Sequence, residues 1–519
     1  MAERYYPLGV QSFEDIIRNN FYYVDKTEQL YRLVKANKFV FLSRPRRFGK
    51  SLMINTLKSY FQGRKDLFAG LKIEKLEQDW IEYPVIHLDM SGSCENRLDL
   101  LHINLNAKLK SQEEKYGIKV SDVDRMGYGT RLSNIIKTAN NVAGQQVVLL
   151  IDEYDAPMQD NLTYPIALQE VRTIMLDLYG VIKEYSPIIK FVMLTGITKF
   201  AQMSIFSKLN NITDISMDPR YETLCGITQE EMETYFSEGL NELAKAKNET
   251  REETISHIKQ MYDGYHFTEA LTDIYNPYSL IHVLASRRYD NFWFASGTPT
   301  MLLRMMQKFD FPITELDDIE TDVSRFEKPM EQMNDVVPLL YQSGYITIKD
   351  YELEFDTYVL GIPNEEVRKG LAVSLYEYYK PSGYGVRDTL AAAYRKLYRG
   401  GTLDDFMLSL RQFYSTIPYN LDNKNEKHYQ ALFYAAMKSI GAKVDAEKCT
   451  ANGRIDVVLY MPKEIYIFEF KYQKNLEDAL DQLIRKDYKT FFADDPRPVV
   501  QIGLNVSPDA RTIDSWEKL

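Results

Sequence analysis

From the start of the chain to about residue 230, short apolar runs alternate with longer amphipathic stretches: FVFL, VIHLDM, VVLLIDE and IIKFVMLTG each string together β-forming residues. Uninterrupted apolar runs of this length suit strands buried on both faces, so the pattern predicts helices packed around a parallel sheet. From about residue 228 to 400 the period is mainly helical, as in TQEEMETYFSEGLNELAKA, with loops at YDGYHF and DIYNPYSL. Within it, MNDVVPLLYQSGYITIKD followed by FDTYVLGIP reads as a helix, a glycine stop and two short strands, the order of a winged helix. Gly400-Gly401 then precedes Thr402 with an acid at Asp405, a helix start straight after a flexible pair, and marks a boundary. Beyond it, Tyr429, Leu432, Phe433, Ala436, Met437 and Ile440 share one face of a helix that begins near Glu426 and stops at Gly441. A strand AKVDAEKCT, an Asn452-Gly453 turn, RIDVVLY at 454–460, a turn at Pro462 and IYIFEFK at 465–471 complete a meander of three strands. The expected fold class is α/β, with an α/β domain at 1–230, a helical extension carrying a winged helix at 231–400, and a separate α/β unit at 401–519.

Composition narrows the functional classes. A chain of 519 residues is longer than one hydrophobic core supports, and 45% hydrophobic with 26% charged residues supplies several cores. There is no repeat of solenoid or propeller period and no low-complexity tract. No stretch approaches the roughly 20 apolar residues of a membrane helix, and MAERYYPLGVQSFED lacks the apolar run of a signal peptide, which predicts a cytoplasmic protein with no membrane partner. Cys94, Cys225 and Cys449 form no CxxC pair, so neither a zinc site nor a disulfide framework is expected. A net charge of -11 excludes a basic coat, and confines any nucleic-acid contact to a local groove.

The first candidate chemistry follows the run FVFL. Ser43-Arg44-Pro45-Arg46-Arg47-Phe48-Gly49-Lys50-Ser51 leads at once into the amphipathic LMINTLKSYF, the strand, loop and helix order of a phosphate-binding loop. In such a turn, amides at the helix start bind phosphate oxygens, Lys50 neutralises triphosphate charge, and the Ser51 hydroxyl joins a magnesium shell. The pattern G-x-x-x-x-G-K-S/T is broken at its first glycine, where Arg44 stands, followed by Pro45 with no N–H to offer. A Gly-Lys-Ser capping an ordinary helix competes with this reading. Val147 to Ile151 followed by Asp152-Glu153 tips the balance, because it sets two acids at the mouth of a buried strand. Asp152 would hold magnesium and Glu153 would orient and deprotonate water. Thr195, ending FVMLTG, is placed to sense a terminal phosphate, unless the strand simply stops at Gly196.

The second candidate chemistry lies in the meander. Glu469 and Lys471, two apart, project from one face of a strand, and Asp456 lies near the start of the preceding one. Two carboxylates can share a magnesium ion that polarises a phosphodiester, with a lysine stabilising developing charge. The competing reading is a buried ion pair between Glu469 and Lys471. IYIFEFK is otherwise apolar on both faces, and ionised groups are costly there unless paired or bound to metal.

On these residues the chain resembles a known bacterial combination. YVDKT (23–27), RPRRFGKSL (44–52), LIDEYDAP (150–157) and LTGITKF (194–200) resemble the AAA-ATPase-like family, in which an arginine-rich loop replaces the glycine-rich one. IYNPYS (274–279) is similar to the Asn/Gly-x-Pro region of signal-transducing P-loop ATPases. GRIDVVLYMPKEIYIFEFKYQKN, within 426–507, resembles the PD-(D/E)xK nuclease superfamily domain often fused behind such an ATPase domain. The resemblance implies ATP and magnesium as cofactors. It implies Arg46, Arg47, Gly49, Lys50, Ser51, Asp152 and Thr195 around the nucleotide, with Ser51 and Asp152 on its magnesium and Glu153 catalytic. It also implies Asp456 and Glu469 as metal ligands, Lys471 as the catalytic lysine, Glu426 as an acidic residue of the first helix near the metal, and Gln482 and Tyr488 as further polar positions. The expected partner is nucleic acid, DNA first, with a homo-oligomer left open. Two rivals stand beside this reading: a regulatory NTPase whose nuclease fold only binds nucleic acid or a partner, and an interaction platform with neither activity.

Overall fold

The structure is a computed structural model that describes residues 4–92, 94–118, 126–199, 212–294, 300–309, 311, 313–378, 386–417 and 422–519. It divides into two compact units, Met1–Trp293 with Glu320–Glu365, and Phe294–Ile319 with Glu366–Leu519.

The four apolar runs of the N-terminal part become β1 (Phe39–Ser43), β2 (Val85–Asp89), β3 (Val147–Asp152) and β4 (Ile189–Gly196), all parallel, with a short β5 (Thr213–Asp214) at one edge. Every residue of β1 and β3 is buried, as continuous apolar runs require. The strand order is β2-β3-β4-β1-β5. Because β4 lies between β1 and β3, Ser43 pairs with Gly196, while β2 pairs with β3 and sets Asp89 opposite Asp152, so the ends of four strands share one edge of the sheet. Ligand sites of parallel sheets form outside these carboxyl ends.

The helical reading of the next stretch holds. Gln229–Tyr235 starts on a capping box between Thr228 and Glu231, and Ser237–Lys247 and Arg251–Tyr262 follow. Met232, Phe236, Leu240, Leu243, Ile258 and Tyr262 form their shared core, and β6 (Ile227–Thr228) pairs antiparallel with β7 (Ile274–Tyr275) beside it. Asn276 caps the helix Pro277–Ser286 by accepting from the amides of Tyr278 and Ser279.

The winged-helix order also appears. The helix Val337–Ser343 stops at Gly344, and β9 (Thr347–Glu352) and β10 (Thr357–Gly361) form a hairpin joined by β8 (Ile319–Thr321) in the order β8-β10-β9. Gly344 has φ of +85°, and a Cβ there would lie 2.6 Å from Cβ of Pro45, so this turn sits directly on the loop after β1. Gly344→Ala is expected to destabilise the first unit by about 2 kcal/mol or more, from left-handed strain plus overpacking, read as a lower urea midpoint.

In the second unit the helix Leu403–Ser415 begins at Thr402, whose hydroxyl accepts from the Asp405 amide at 3.3 Å, as the sequence signalled. The buried helix Glu426–Ser439 precedes the meander β11 (Val444–Thr450), β12 (Gly453–Tyr460) and β13 (Ile465–Tyr472). The sheet continues through β14 (Val499–Ser507), parallel to β13, and β15 (Thr512–Lys518). The helix Leu476–Lys486 lies between β13 and β14 in sequence, as a parallel crossover needs. Apolar pattern does not signal β14 or β15. Gln501, Gly503 and Asn505 interrupt the apolar run of one, and the other is largely polar.

Candidate functional site

The loop after β1 turns through left-handed backbone at Arg47 (φ +69°) and Gly49 (φ +90°), and Gly49 caps the helix Lys50–Phe61. Lys50 is buried there and donates to the carbonyls of Arg44 (2.8 Å) and Pro45 (2.9 Å). Burial lowers its ammonium pKa, against the pull of nearby Asp152. Ser51 follows at the first turn of that helix, partly buried. Arg46 is exposed, and its carbonyl accepts from the Trp293 indole. The Arg47 guanidinium lies 3.8 Å from the centre of the Tyr278 ring, which ties the loop to the helix Pro277–Ser286. Arg44 turns away from the loop mouth. It is buried 4.1 Å over the Phe267 ring, donates to the carbonyls of Ser43 and Ser216, and leaves Nε and Nη2 without partners among the described residues. The residue at the first-glycine position is thus a strut under the loop.

The two acids after β3 behave differently from each other. Asp152 is buried and accepts from the Thr195 hydroxyl and from the Glu153 amide at 3.1 Å. Glu153 adopts φ of +50° and is half-buried, and burial followed by the neighbouring Asp152 charge raises its carboxyl pKa. Thr195 therefore bridges β4 to the end of β3. Two residues of this edge have no role in the sequence reading. Asp89 ends β2 in register with Asp152 and adds negative charge beside Glu153, and its signal was a strand ending in an acid, VIHLD. Asp155 is buried and accepts from the amides of Ile197 and Thr198 and from the Thr198 hydroxyl, so it orders the turn that follows β4. A Cβ at Gly196 would lie 2.5 Å from Asp155 Oδ1, which explains the glycine after Thr195. Phe200, the last residue of LTGITKF, lies outside the described residues.

The second site is built on β12 and β13. Their register, Val457 opposite Phe468, leads to Asp456 and Glu469 at the next step. Asp456 Oδ2 accepts from the Phe470 amide at 2.7 Å. Glu469 is fully buried; Oε1 accepts from Lys471 Nζ at 2.7 Å, and Oε2 has no hydrogen-bond partner among the described residues. Lys471 Nζ also donates to the Phe470 carbonyl and lies 3.8 Å from Glu426 Oε1 at the start of the helix Glu426–Ser439. Gly503 stands opposite Glu469 on β14, and a Cβ there would meet Leu480 at 2.9 Å, so this glycine lets the helix Leu476–Lys486 approach. That helix brings Gln482 beside Glu469, close enough to favour its charged form without making a well-formed bond to Oε2. Tyr488 is buried behind it and donates to the Arg454 carbonyl at 2.7 Å. The structure gathers Asp456, Glu469, Lys471 and Gln482, with Glu426 at the rim.

Burial, then Glu469, raises the Asp456 carboxyl well above the carboxylate range, and burial raises Glu469 to about 7 although Lys471 opposes it. Burial alone would lower Lys471, but Glu469 and Glu426 more than offset that and raise it. Acids with raised folded pKa values contribute stability at low pH that is lost as pH climbs through them. Metal-free protein is therefore expected to melt at lower temperature as pH rises from about 4.5 to about 7, and Asp456→Asn to flatten that slope in differential scanning calorimetry. Among the described residues no three His, Cys, Asp or Glu side chains form a ready-made metal cage. Magnesium does not need one: it commonly takes one or two carboxylates and completes its shell with water and phosphate oxygens. The orphaned Glu469 Oε2 and two carboxylates held against their own repulsion fit such an ion.

The comparisons with known proteins agree with this division. Residues 7–206 match the AAA-ATPase-like family, described as a predicted AAA-ATPase, and residues 424–516 match the PD-(D/E)XK nuclease superfamily. An uncharacterized protein in the vnfD 5' region of Azotobacter chroococcum mcd 1 is 32% identical over 529 residues, covering 99% of this chain and 98% of that protein. The chain belongs to the AAA-ATPase-like family that carries a PD-(D/E)XK nuclease domain. In this AAA-ATPase-like nuclease-domain protein, the first matched region contains β1 to β4 with the loop after β1 and both Asp152 and Glu153, and the second contains Asp456, Glu469 and Lys471. Among its described residues no helix is long and apolar enough to cross a membrane.

Proposed function

We propose that this protein binds and hydrolyses ATP at the β1 to β4 edge and cuts nucleic acid, DNA first, at the β12–β13 site with magnesium. The observation that carries the reading is the buried Asp456 and Glu469 pair beside Lys471, with Glu469 Oε2 unpartnered among the described residues. A purely structural ion pair has no use for a second buried carboxylate next to it. Magnesium held there supplies Lewis-acid polarisation of a phosphodiester. Lys471, with its pKa raised, remains a cation that balances charge developing on the phosphate, and Gln482 favours the ionised form of Glu469 against the effect of burial. In the ATPase part, Lys50 meets triphosphate charge, Ser51 and Asp152 would bind its magnesium, Arg46 and Arg47 add positive charge to the loop that holds the phosphates, and Thr195 senses the terminal one. Glu153, raised by burial, serves as the base toward water.

One observation also favours the regulatory reading. The residues just past β4 join the sheet to the winged-helix part: the Lys199 amide donates to Gln342 Oε1 at 2.8 Å, and Lys199 Nζ bridges Asp214 of β5 and Glu327. A shift at Thr195 on nucleotide binding therefore has a packed route into the wing. The test is to incubate the full chain with single- and double-stranded DNA and RNA, with and without magnesium and ATP. Cleavage that needs magnesium supports the nuclease. No cleavage of any nucleic acid, together with no magnesium shift of the melt, leaves the regulatory reading in its place.

A further inference from the structure

Arg44 carries a buried charge that its direct contacts do not balance. Its Nη1 reaches only carbonyls, those of Ser43 and Ser216, and Nε and Nη2 have no partner among the described residues. Those two nitrogens form the edge of a guanidinium that grips an acceptor with parallel N–H groups. Arg44 is 2% exposed, so bulk solvent does not serve that edge, and leaving it unserved is costly. Beside it lies a cavity of about 20 Å³, whose wall includes Arg44, Ser216, Glu327, Tyr341 and Gln342. On the same measure one water needs roughly 10–15 Å³ and a few polar partners, and this wall supplies both.

Glu327 is the carboxylate on that wall. It follows the helix Val323–Phe326, and Gln342 Nε2 donates to the carbonyls on either side of it, Phe326 at 3.1 Å and Lys328 at 3.0 Å. The main chain around Glu327 is therefore fixed to the helix Val337–Ser343 of the winged-helix part. Lys199 Nζ joins its carboxylate to Asp214, which lies 2.7 Å from the ammonium. Arg44 and Lys199 supply two cations and Glu327 and Asp214 two carboxylates, so the charges of the set cancel, as groups withdrawn from water require. Burial raises the Glu327 carboxyl pKa, and Lys199 and then Arg44 pull it back.

We infer that one water in this cavity bridges the free edge of Arg44 to Glu327, and that Glu327 is thereby a positioning residue for the loop after β1. Arg44 begins that loop and its carbonyl accepts from Lys50 Nζ at 2.8 Å, so a shift of Arg44 moves the lysine that meets the triphosphate. This consequence rests on the reading that the loop binds a nucleoside triphosphate. Two measurements on the full chain test the inference. In a crystal structure, a water is expected within about 3.2 Å of both the free Arg44 edge and a Glu327 carboxylate oxygen. An empty cavity, or a direct ion pair between Arg44 and Glu327, overturns the bridge. In calorimetry, Glu327→Gln is expected to weaken magnesium-ATP about tenfold, because its neutral amide leaves Arg44 without a counter-charge. Lys199 keeps Asp214 in that variant, so the fold is expected to persist. Arg44→Lys keeps the charge but loses the fork, and is expected to weaken magnesium-ATP about as much, with the double variant little worse than either single one. A purely structural Glu327 would lower the urea midpoint and leave affinity, measured well below that midpoint, within about twofold of the parent, and this result overturns the positioning role. Losses that multiply in the double variant overturn the path through Arg44. Parent protein that binds no magnesium-ATP overturns the nucleotide reading instead. The bridge is then judged alone by the crystallographic water and by urea midpoints of the same variants, additive shifts overturning it.

Discussion

Magnesium-dependent cleavage is expected to fall by roughly 1,000-fold or more in Asp456→Asn, Glu469→Ala and Lys471→Ala, because each removes several kcal/mol of charge stabilisation from the reacting phosphodiester. The three variants should differ in stability. Asp456 Oδ2 is held by the Phe470 amide, a donor that an asparagine oxygen still satisfies. Removing the charge relieves repulsion with Glu469, so Asp456→Asn is expected to melt at the same or a higher temperature without metal. Glu469→Ala instead strips Lys471 of its 2.7 Å partner, leaving Glu426 at 3.8 Å, and is expected to melt lower. Magnesium should raise the melt of the parent and leave that of Asp456→Asn unmoved. If Asp456→Asn cleaves at the parent rate, or gains the same magnesium shift, the two-carboxylate site is wrong.

Glu153→Gln is expected to keep ATP binding within about threefold while hydrolysis drops by roughly 100-fold or more, since the amide preserves shape and removes basicity. The local backbone favours a clean substitution. Glu153 sits at φ +50° and donates through its main-chain amide to Asp152, a contact that a side-chain change leaves in place. Asp152 is the contrasting case, because it accepts from both Thr195 and Glu153. Steady-state turnover and calorimetry on one preparation separate the two effects. Equal loss of binding and turnover in Glu153→Gln would make that residue structural.

The division of labour between sequence and tertiary structure shows in particular residues. The strands 39–43, 147–152 and 189–196 were legible because continuous apolar runs suit a sheet covered on both faces, and Gly344, Gly441 and Thr402 mark ends through backbone and capping chemistry that acts over a few residues. Glu469 and Lys471 stood out because charged groups are costly on an otherwise apolar strand. Local pattern carries no record of which strand inserts where. Only the order β2-β3-β4-β1-β5 brings Thr195 to Asp152 and Asp89 beside it. Only burial against Phe267 and Ser216 reveals that Arg44 supports the loop from behind. In the second unit, the parallel pairing of β13 with β14 sets Gly503 opposite Glu469 and admits the helix that carries Gln482. The sequence by itself determined where elements begin, end and bury, because propensity, capping and apolar period are short-range properties. The tertiary structure alone decided which charged groups meet, because those encounters join residues distant along the chain and depend on strand order and on how closely each helix packs.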